Sequence, residues 1–529
     1  SNNPLWRHPT PYSNFNTSMA LLALISFLLS HLKLADIGVG MLILFLSSSA
    51  IQWLTGKGPM QWPLLGNMPS FAVHIHHVYD WGTQTLVKAG GTFPFRGVMF
   101  ARFYGVVTAD PSNLEYILKT NFSNFPKGRY YRERFVDFLG DGIFNADDAV
   151  WRDQRRAATA EMHTSRFVEY SADTIRELVY QKLLPLLRRL AENSTVVDLQ
   201  DVFLRFTFDN ICTAAFGVDP GCLAADLPEV PFAKAFEEAT RFTLFRFLVP
   251  PPVWKIMKVL DVGTERRLRI AIRSVHEFAE KTVRDRKADL SFNERSDLLS
   301  RLISSEQGFS DKFLKDFCIS FILAGRDTSS VALAWFFWLL YKHPRVERKI
   351  LAEILAIIKQ RGVAAAGFEL DEVVFTVDEV KRMDYLQAAL TESLRLYPSV
   401  PLDFKQALED DVLPDGTRIR KGGRVIYLIY AMGRMEGIWG KDCMEFRPER
   451  WLKKSVFTVE NPFKYVVFNA GPRLCVGKKF AYMQMKMVVA AMLLRYKVVV
   501  EEGQEVVPRL TTTLYMRDGL KVTVERRKE

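Results

Sequence analysis

Cysteine is scarce in this 529-residue chain, and what there is does not pair by spacing. Cys212, Cys222, Cys318, Cys443 and Cys475 are odd in number, scattered and without any C-x-x-C spacing. That excludes a disulfide framework and a structural zinc site, and points to a reducing compartment for the folded part. Acidic residues also fall short: 60 Asp and Glu against 71 Lys and Arg leave a formal charge of +11. Such a balance suits nucleic acid, a membrane surface or an acidic protein partner. No helix-turn-helix, zinc-finger or RNA-binding signature accompanies it, so nucleic acid is set aside as a partner. No internal repeat is present. A hydrophobic share of 48% and a charged share of 25% are those of a globular protein with a large core. Length alone suggests about three or four domains, but the patterning is that of one large domain behind a membrane segment.

Two apolar runs lie near the start. Met19 to Leu32 holds about fourteen residues, short for a bilayer span, whereas Ile37 to Leu54 holds about eighteen uncharged residues and is long enough to cross. Lys57 follows, then Pro59, Pro63 and Pro69, which make a stiff non-helical connection. No small-residue cleavage site follows, so an uncleaved anchor with the catalytic part on the cytosolic side is expected. Residues 1–36 are rich in Ser and Asn and lack acids until Asp36; an organelle-targeting extension is the alternative. The expected organisation is an N-terminal extension over 1–36, a transmembrane anchor over 37–54, a proline-rich hinge over 55–69 and one domain over 70–529.

Within that domain, Phe93 to Thr108 reads as a hairpin turning at Arg96-Gly97, and Asp110-Pro111 opens a helix with Asp as N-cap. From Trp151 to Lys359 the pattern is helical, broken at Pro228–Pro231 and Pro250–Pro252. Strands return around Arg418–Leu428 and Leu510–Val524, the latter turning at Asp518-Gly519. The fold class is mainly α with small β-sheets.

Against this background stands a set of motifs in order. The strongest is Phe468-Asn469-Ala470-Gly471-Pro472-Arg473-Leu474-Cys475-Val476-Gly477, which fits the haem-binding pattern F-x-x-G-x-R-x-C-x-G at every specified position. A thiolate at Cys475 binds iron and pushes electron density toward it, which favours O–O cleavage. Gly471 and Gly477 are expected to free backbone N–H groups to point at the sulfur. Arg473 is expected to pair with a haem propionate, and Phe468 to shield the sulfur from water. Ala324-Gly325-Arg326-Asp327-Thr328-Ser329 lies inside the apolar run from Phe317 to Leu340. The run has the length of a membrane helix, but Arg326 and Asp327 in its middle would be costly in hydrocarbon. Glu392-Ser393-Leu394-Arg395 puts a carboxylate and a guanidinium on one helix face. Alone, such a pair is usually a solvated surface pair; here Arg447-Pro448-Glu449-Arg450-Trp451 lies downstream. Trp151 and Arg155, one helical turn apart, are placed to reach one propionate together, and Lys405, after Pro398 and Pro401, is a candidate for a second propionate contact.

With these motifs in this order, the chain resembles the cytochrome P-450 superfamily across nearly its whole length. Four further stretches, Asn121-Phe122-Ser123-Asn124-Phe125-Pro126-Lys127-Gly128, Asp141-Gly142-Ile143-Phe144-Asn145-Ala146-Asp147, Phe208-Asp209-Asn210-Ile211-Cys212 and Tyr430-Ala431-Met432-Gly433-Arg434-Met435, resemble the plant fatty-acid ω-hydroxylases that act on long and very long acyl chains for suberin and cutin-type polyesters. Gly433-Arg434-Met435 departs from the superfamily's usual His-Arg-Asp but agrees with that branch.

The resemblance implies the P-450 fold, haem b with Cys475 as axial ligand, dioxygen as co-substrate, and two electrons from NADPH passed by NADPH–cytochrome P-450 reductase. It implies that Thr328 donates a hydrogen bond to iron-bound peroxide, that Asp327 helps relay protons from solvent, and that Gly325 lets dioxygen and substrate approach the helix. Glu392, Arg395 and Arg450 are implied to form a buried network. Attack at the terminal carbon demands a narrow apolar channel. By family position its walls come from Arg129–Asn145, Phe242–Pro252, Phe321–Ala324, Pro401–Phe404 and Leu514–Tyr515, with Phe144, Phe321, Ala324, Leu402 and Leu514 as lining candidates. Phe242, Phe245 and Phe247 fit channel, core or membrane-facing roles alike, and no cation for the substrate carboxylate stands out. Lys478 and Lys479 are candidates for docking an acidic reductase, and other basic residues for meeting lipid headgroups. A monomer in the endoplasmic reticulum membrane is expected, with the plastid envelope as the alternative address. The competing readings are a monooxygenase of the same superfamily acting on a sterol, terpenoid or alkane, a haem-thiolate isomerase or dehydratase, and a silent haem-binding scaffold.

Overall fold

The computed structural model describes residues 33–55, 58–62, 64–97, 104–224, 226–306, 308–361 and 370–527. The apolar run Met19 to Leu32, most of the 1–36 extension, and Lys57 and Pro63 of the hinge lie outside the described residues. The first described helix, α1 (Leu34–Thr55), contains the stretch 37–54 and is long and apolar enough to cross a membrane; none of its apolar window is buried in the protein.

The rest is mostly helical with small sheets, as the motif order implied. Strands β1 (Thr92–Arg96) and β2 (Tyr104–Thr108) pair antiparallel from Thr92–Thr108 to Arg96–Tyr104, so the connection spans 97–103 and is longer than a turn at Arg96-Gly97. Asp110 caps the next helix through Ser112 N–H and Asn113 N–H, with Pro111 at its first position. The helices that carry the site are α2 (Gly128–Leu139), α3 (Asp148–Met162), α4 (Leu199–Phe216), α5 (Pro231–Leu248), α6 (Gly263–Ala288), α7 (Asp311–Lys342), α8 (Asp384–Leu396) and α9 (Lys478–Arg495). β3 (Val197–Asp198), β4 (Asp403–Gln406), β5 (Arg424–Tyr427), β6 (Tyr496–Val500) and β7 (Lys521–Arg526) complete two sheets, ordered β1-β2-β5-β4 and β6-β7-β3.

Helix α7 has the length of a membrane span, but most of it is buried inside the protein. Its Trp335 stacks on Tyr397 at 4.1 Å and donates its indole N–H to the Leu514 carbonyl at 2.6 Å. That contact explains a difference from expectation at the C-terminus. Leu510–Val524 is not a regular hairpin: a single bridge joins Pro508 to Met516, and only Lys521–Arg526 forms a strand, paired with β6. Leu514 and Met516 turn inward to the core instead, and the Leu514 N–H finds Ser399 O at 2.9 Å. Burying two large apolar side chains and satisfying their backbone outweighs extending the ladder.

Candidate active site

The Cys475 loop enters α9, so the sulfur sits at a helix N-terminus where N–H groups and the helix dipole favour a thiolate. The Cys475 N–H donates to Phe468 O at 2.9 Å, which closes the loop. Burial pushes the Cys475 thiol up, while the Gly477 N–H, the Arg155 and Lys478 charges and the Lys478 N–H pull it down. Its surface is exposed even though protein atoms crowd it. Both fit a sulfur that faces a recess in the protein and not the bulk. The Gly477 N–H is directed at the sulfur. Gly471 serves another purpose: at φ +63° a Cβ there would lie 2.0 Å from the Leu118 carbonyl, so only glycine lets the loop pass. The Phe468 ring packs against Tyr482 at 5.3 Å, and Lys478 Nζ lies 5.4 Å from its centre.

Beside the loop lies a buried cluster of charge. Arg473 pairs with Asp147 at 2.8 Å and donates to Ala146 O at 3.0 Å, with its guanidinium 4.5 Å from the Trp151 ring centre. Asp147 also accepts the Lys127 and Gly128 N–H groups at 2.9 Å each, which ties the start of α2 to the loop. Lys405 on β4 is 0% exposed, and among the described residues its Nζ has no hydrogen-bond partner. Its nearest carboxylate oxygen, Asp403 Oδ2, is 3.9 Å away and already accepts the Tyr427 hydroxyl at 2.8 Å, while Oδ1 takes Lys127 Nζ at 2.5 Å. Burial, and then Lys127, hold Lys405 well below the usual lysine range. Arg473 Nε is likewise without a partner. A thiolate with N–H groups aimed at it, next to two buried cations that each keep an unused donor, fits a group with one iron axial site and anionic arms. Cys475 would hold the iron of a haem, and Arg473 and Lys405 its carboxylates.

Trp151 and Arg155 share one face of α3 but not one target. Trp151 packs under Arg473 and against Phe122 at 5.6 Å, whereas Arg155 Nη1 donates to Leu474 O, next to the sulfur. The aromatic ring lies beneath the Arg473 guanidinium, and the longer Arg155 side chain reaches the loop backbone.

On α7, the Thr328 hydroxyl donates to Ala324 O at 2.6 Å, and the Thr328 carbonyl accepts Ser399 Oγ at 2.7 Å. Asp327 is 1% exposed; it pairs with Arg326 at 2.8 Å and accepts the Tyr515 hydroxyl. Burial raises its carboxyl, and Arg326 and Tyr515 oppose that. Its protein partners are thus Arg326 and Tyr515, both on the buried side of α7. At Gly325 a Cβ would lie 2.5 Å from Ile211 Cγ1, so the glycine lets α4 and α7 pack closely.

Of the lining candidates, Phe144 and Ala324 are half-buried and Phe321 stacks on Phe317 at 4.2 Å. Phe321 and Phe144 share one apolar cluster with Val476 of the Cys475 loop, which brings α7 and the loop together. Leu402 packs against the other main cluster. Leu514 is 0% exposed and so offers no surface to a channel. Phe247, left open by the sequence, forms an aromatic cage with Tyr131, Phe135 and Phe404 at centre distances of 5.0 to 6.0 Å, Tyr131 and Phe135 being closer still at 4.6 Å. Phe242 is buried in the core.

Glu392, Arg395 and Arg450 come together, fully buried or nearly so. Arg395 grips Glu392 with two bonds at 2.7 and 2.8 Å and donates to the carbonyls of Gly433, Cys443 and Glu445. Trp451 Nε1 reaches Glu392 at 2.8 Å and Arg450 Nε at 3.4 Å. Gly433 is required here, because a Cβ would lie 2.0 Å from Arg395 O. The network clamps α8 to the segment that leads into the Cys475 loop.

Asp147 and Lys127 were not assigned roles from sequence, and Asp403 and Tyr515 were expected only as parts of wall segments, not as partners of Lys127 and Asp327. Asp147 and Lys127 do lie at the ends of stretches that carried the family resemblance, but no spacing rule marks them.

Fold and site together define a haem-thiolate enzyme. The cytochrome P450 family model matches residues 57–524, and the chain belongs to that family as a P450 monooxygenase. Cytochrome P450 86B1 of Arabidopsis thaliana is 50% identical over 523 residues, covering 97% of this chain and 93% of the relative. Cytochrome P450 94A1 of Vicia sativa is 43% identical over 486 residues, covering 89% and 90%. Cytochrome P450 CYP94D108 of Paris polyphylla is 42% identical over 477 residues, covering 89% and 93%.

Proposed function

We propose that this monooxygenase hydroxylates the terminal carbon of long or very long chain fatty acids, as a source of suberin or cutin-type polyester precursors. Haem supplies dioxygen activation; the chain's own residues bind, orient and exclude water. The observation that carries the reading is the cage of Tyr131, Phe135, Phe247 and Phe404. It sets a narrow apolar wall next to β4, where Lys405 and Asp403 lie. A wall of rings restricts an alkyl chain to end-on approach, which favours the terminal methyl over the more reactive internal methylenes. The likeness to cytochromes P450 86B1 and 94A1 supports the same branch.

Electrons come from NADPH through its P450 reductase. The docking face is a groove of about 670 Å³ lined by His163, Lys381, Lys478 and Lys479 below the Cys475 loop. Helix α1 anchors the protein in the endoplasmic reticulum membrane with the catalytic domain, residues 70–529, toward the cytosol. Asp327 and Thr328 serve proton delivery, the Tyr515 hydroxyl holding the Asp327 carboxylate.

Mass spectrometry of products tests the proposal. Membranes carrying the protein and a plant reductase are fed saturated fatty acids of graded chain length with NADPH. Terminal hydroxy acids that vanish without NADPH are expected. Haem-loaded protein that yields no acyl product refutes the substrate class and shifts the search to sterols, terpenoids or alkanes.

A further inference from the structure

The buried arginines of this protein mostly hold a carboxylate: Arg246 has Glu265 at 2.6 Å, Arg286 has Asp297 at 3.5 Å, and Arg326, Arg395 and Arg473 have those described above. Arg134, on α2, is different. It is 1% exposed, and among the described residues it has no ion pair. Its Nε donates to Arg246 O at 2.9 Å and its Nη1 to Tyr130 O at 2.8 Å, while Nη2 is buried with no partner. Arg434 also lacks a carboxylate, but it spends its donors on Leu396 O and Tyr430 O and leaves no buried nitrogen orphaned.

A buried guanidinium without an anion is costly, and burial holds Arg134 below the usual arginine range. Its surroundings carry both signs: the Glu133 carboxylate opposes the effect of burial, and Arg246 adds to it. The Arg134 guanidinium lies 3.4 Å from the Tyr130 ring centre and that of Arg424, on β5, lies 3.6 Å from the same centre. Two groups so close to one centre must stack on opposite faces of the ring. Tyr130 thus separates two cations that repel each other, and both faces are used before any anion arrives. On the other side, Arg134 is 5.2 Å from the Phe247 ring, the first member of the aromatic cage. The cage continues through Phe404 to Lys127, whose Nζ lies 4.7 Å from Tyr131 and pairs with Asp403 beside Lys405. A buried cation with an unused donor therefore lies against an apolar wall that leads to the haem carboxylate cluster.

We propose that Arg134 Nη2 is the anchor for the carboxylate of a long-chain acyl substrate, with Arg424 adding to the attractive field. The assignment rests on the fatty-acid reading of this site. An acid held by its head at Arg134 lays its chain along Phe247, Phe404 and Tyr131, so the anchor, and not affinity for the tail, measures which carbon reaches the iron. Arg134 is a specificity-determining residue and takes no part in bond making.

Spectral titration of the haem-loaded protein, with a saturated fatty acid and its methyl ester compared, tests this. The wild type is expected to prefer the acid. Arg134→Gln, which can still donate to Tyr130 O, is expected to lower that preference by about 10- to 100-fold, the worth of a charge-assisted hydrogen bond. The same change should raise KM for the acid more than it lowers kcat. Arg134→Lys keeps the charge but not the fork, and restores part of the preference. If Arg134→Gln fails to load haem, the Lys variant decides: a severalfold smaller acid preference than wild type supports the anchor. An acid-to-ester ratio unchanged in whichever variant folds overturns it and leaves Arg134 a structural residue only, with the fatty-acid reading intact. A wild type that binds no fatty acid at all overturns both.

Discussion

Replacing Glu392 with Gln keeps the side chain's shape and removes its charge. Glu392 Oε1 accepts from Arg395 Nη2, Arg450 Nε and the Arg447 N–H, and Oε2 accepts from Arg395 Nε and Trp451 Nε1. Whichever oxygen becomes the amide nitrogen, at least two N–H groups then face another donor, so no rotation of the amide repairs the site. Arg395 would also lose its one carboxylate partner among the described residues in a fully buried position, whereas Arg450 keeps Asp442 at 3.0 Å. Breaking a buried pair by removing one partner costs about 3–5 kcal/mol. The whole fold is worth only about 5–15 kcal/mol, so Glu392→Gln should accumulate little haem-loaded protein. The assay is urea unfolding, read by Soret absorbance and by the fluorescence of Trp439 and Trp451, which flank the pair. The double variant Glu392→Leu/Arg395→Met removes both charges and should be less unstable than the sum of the single changes by about 2 kcal/mol. Single variants within about 1 kcal/mol of wild type, or strictly additive losses, would refute the clamp.

Gly325→Ala should cost about 1–3 kcal/mol through its clash with Ile211, and Ile211→Ala in the same chain should recover part of it; a glycine kept for dioxygen access would instead show normal stability and lost turnover. Thr328→Ala should leave NADPH consumption running while product per NADPH falls severalfold, measured as the ratio of hydroxylated product to NADPH oxidised. Lys479→Glu should slow reduction of the haem by the reductase, most at low ionic strength, and equal stopped-flow rates at all salt concentrations would remove the groove from consideration. Burial holds the Lys486 ammonium down to about 8. Because the unfolded chain keeps its proton up to the ordinary lysine value near 10.4, the unfolded state binds more protons in between. Stability should therefore rise with pH across that window, by roughly 3 kcal/mol in all, and Lys486→Met should abolish the rise in unfolding midpoint.

Several features were readable from the chain because they depend on local spacing. The Cys475 loop, the Asp110-Pro111 helix start and the helix breaks at Pro231 and Pro251 are set by which residues stand next to each other. The same holds for the burial of α7, since Arg326 and Asp327 could not sit in lipid without great cost. Gly325 and Gly471 show the limit. Both were legible as places where a side chain is unwelcome, yet the atom that forbids it is Ile211 in one case and Leu118 O in the other. Those atoms are more than a hundred residues away in the chain.

What the sequence determined by itself is the chemistry: a thiolate at a helix start, an acid–alcohol pair in a buried helix and a carboxylate–arginine pair on one helix face, each written in adjacent residues. Only the tertiary structure decided the partners. It placed Asp147 on Arg473 and Tyr515 on Asp327, parted Trp151 from Arg155, left Lys405 and Arg134 with unused donors, and gathered Phe247 and Phe404 into one wall. The reason is physical: spacing fixes which groups share an element, whereas the pairing of buried charges and rings depends on how distant elements pack, and desolvation makes each such pairing costly to leave unmade.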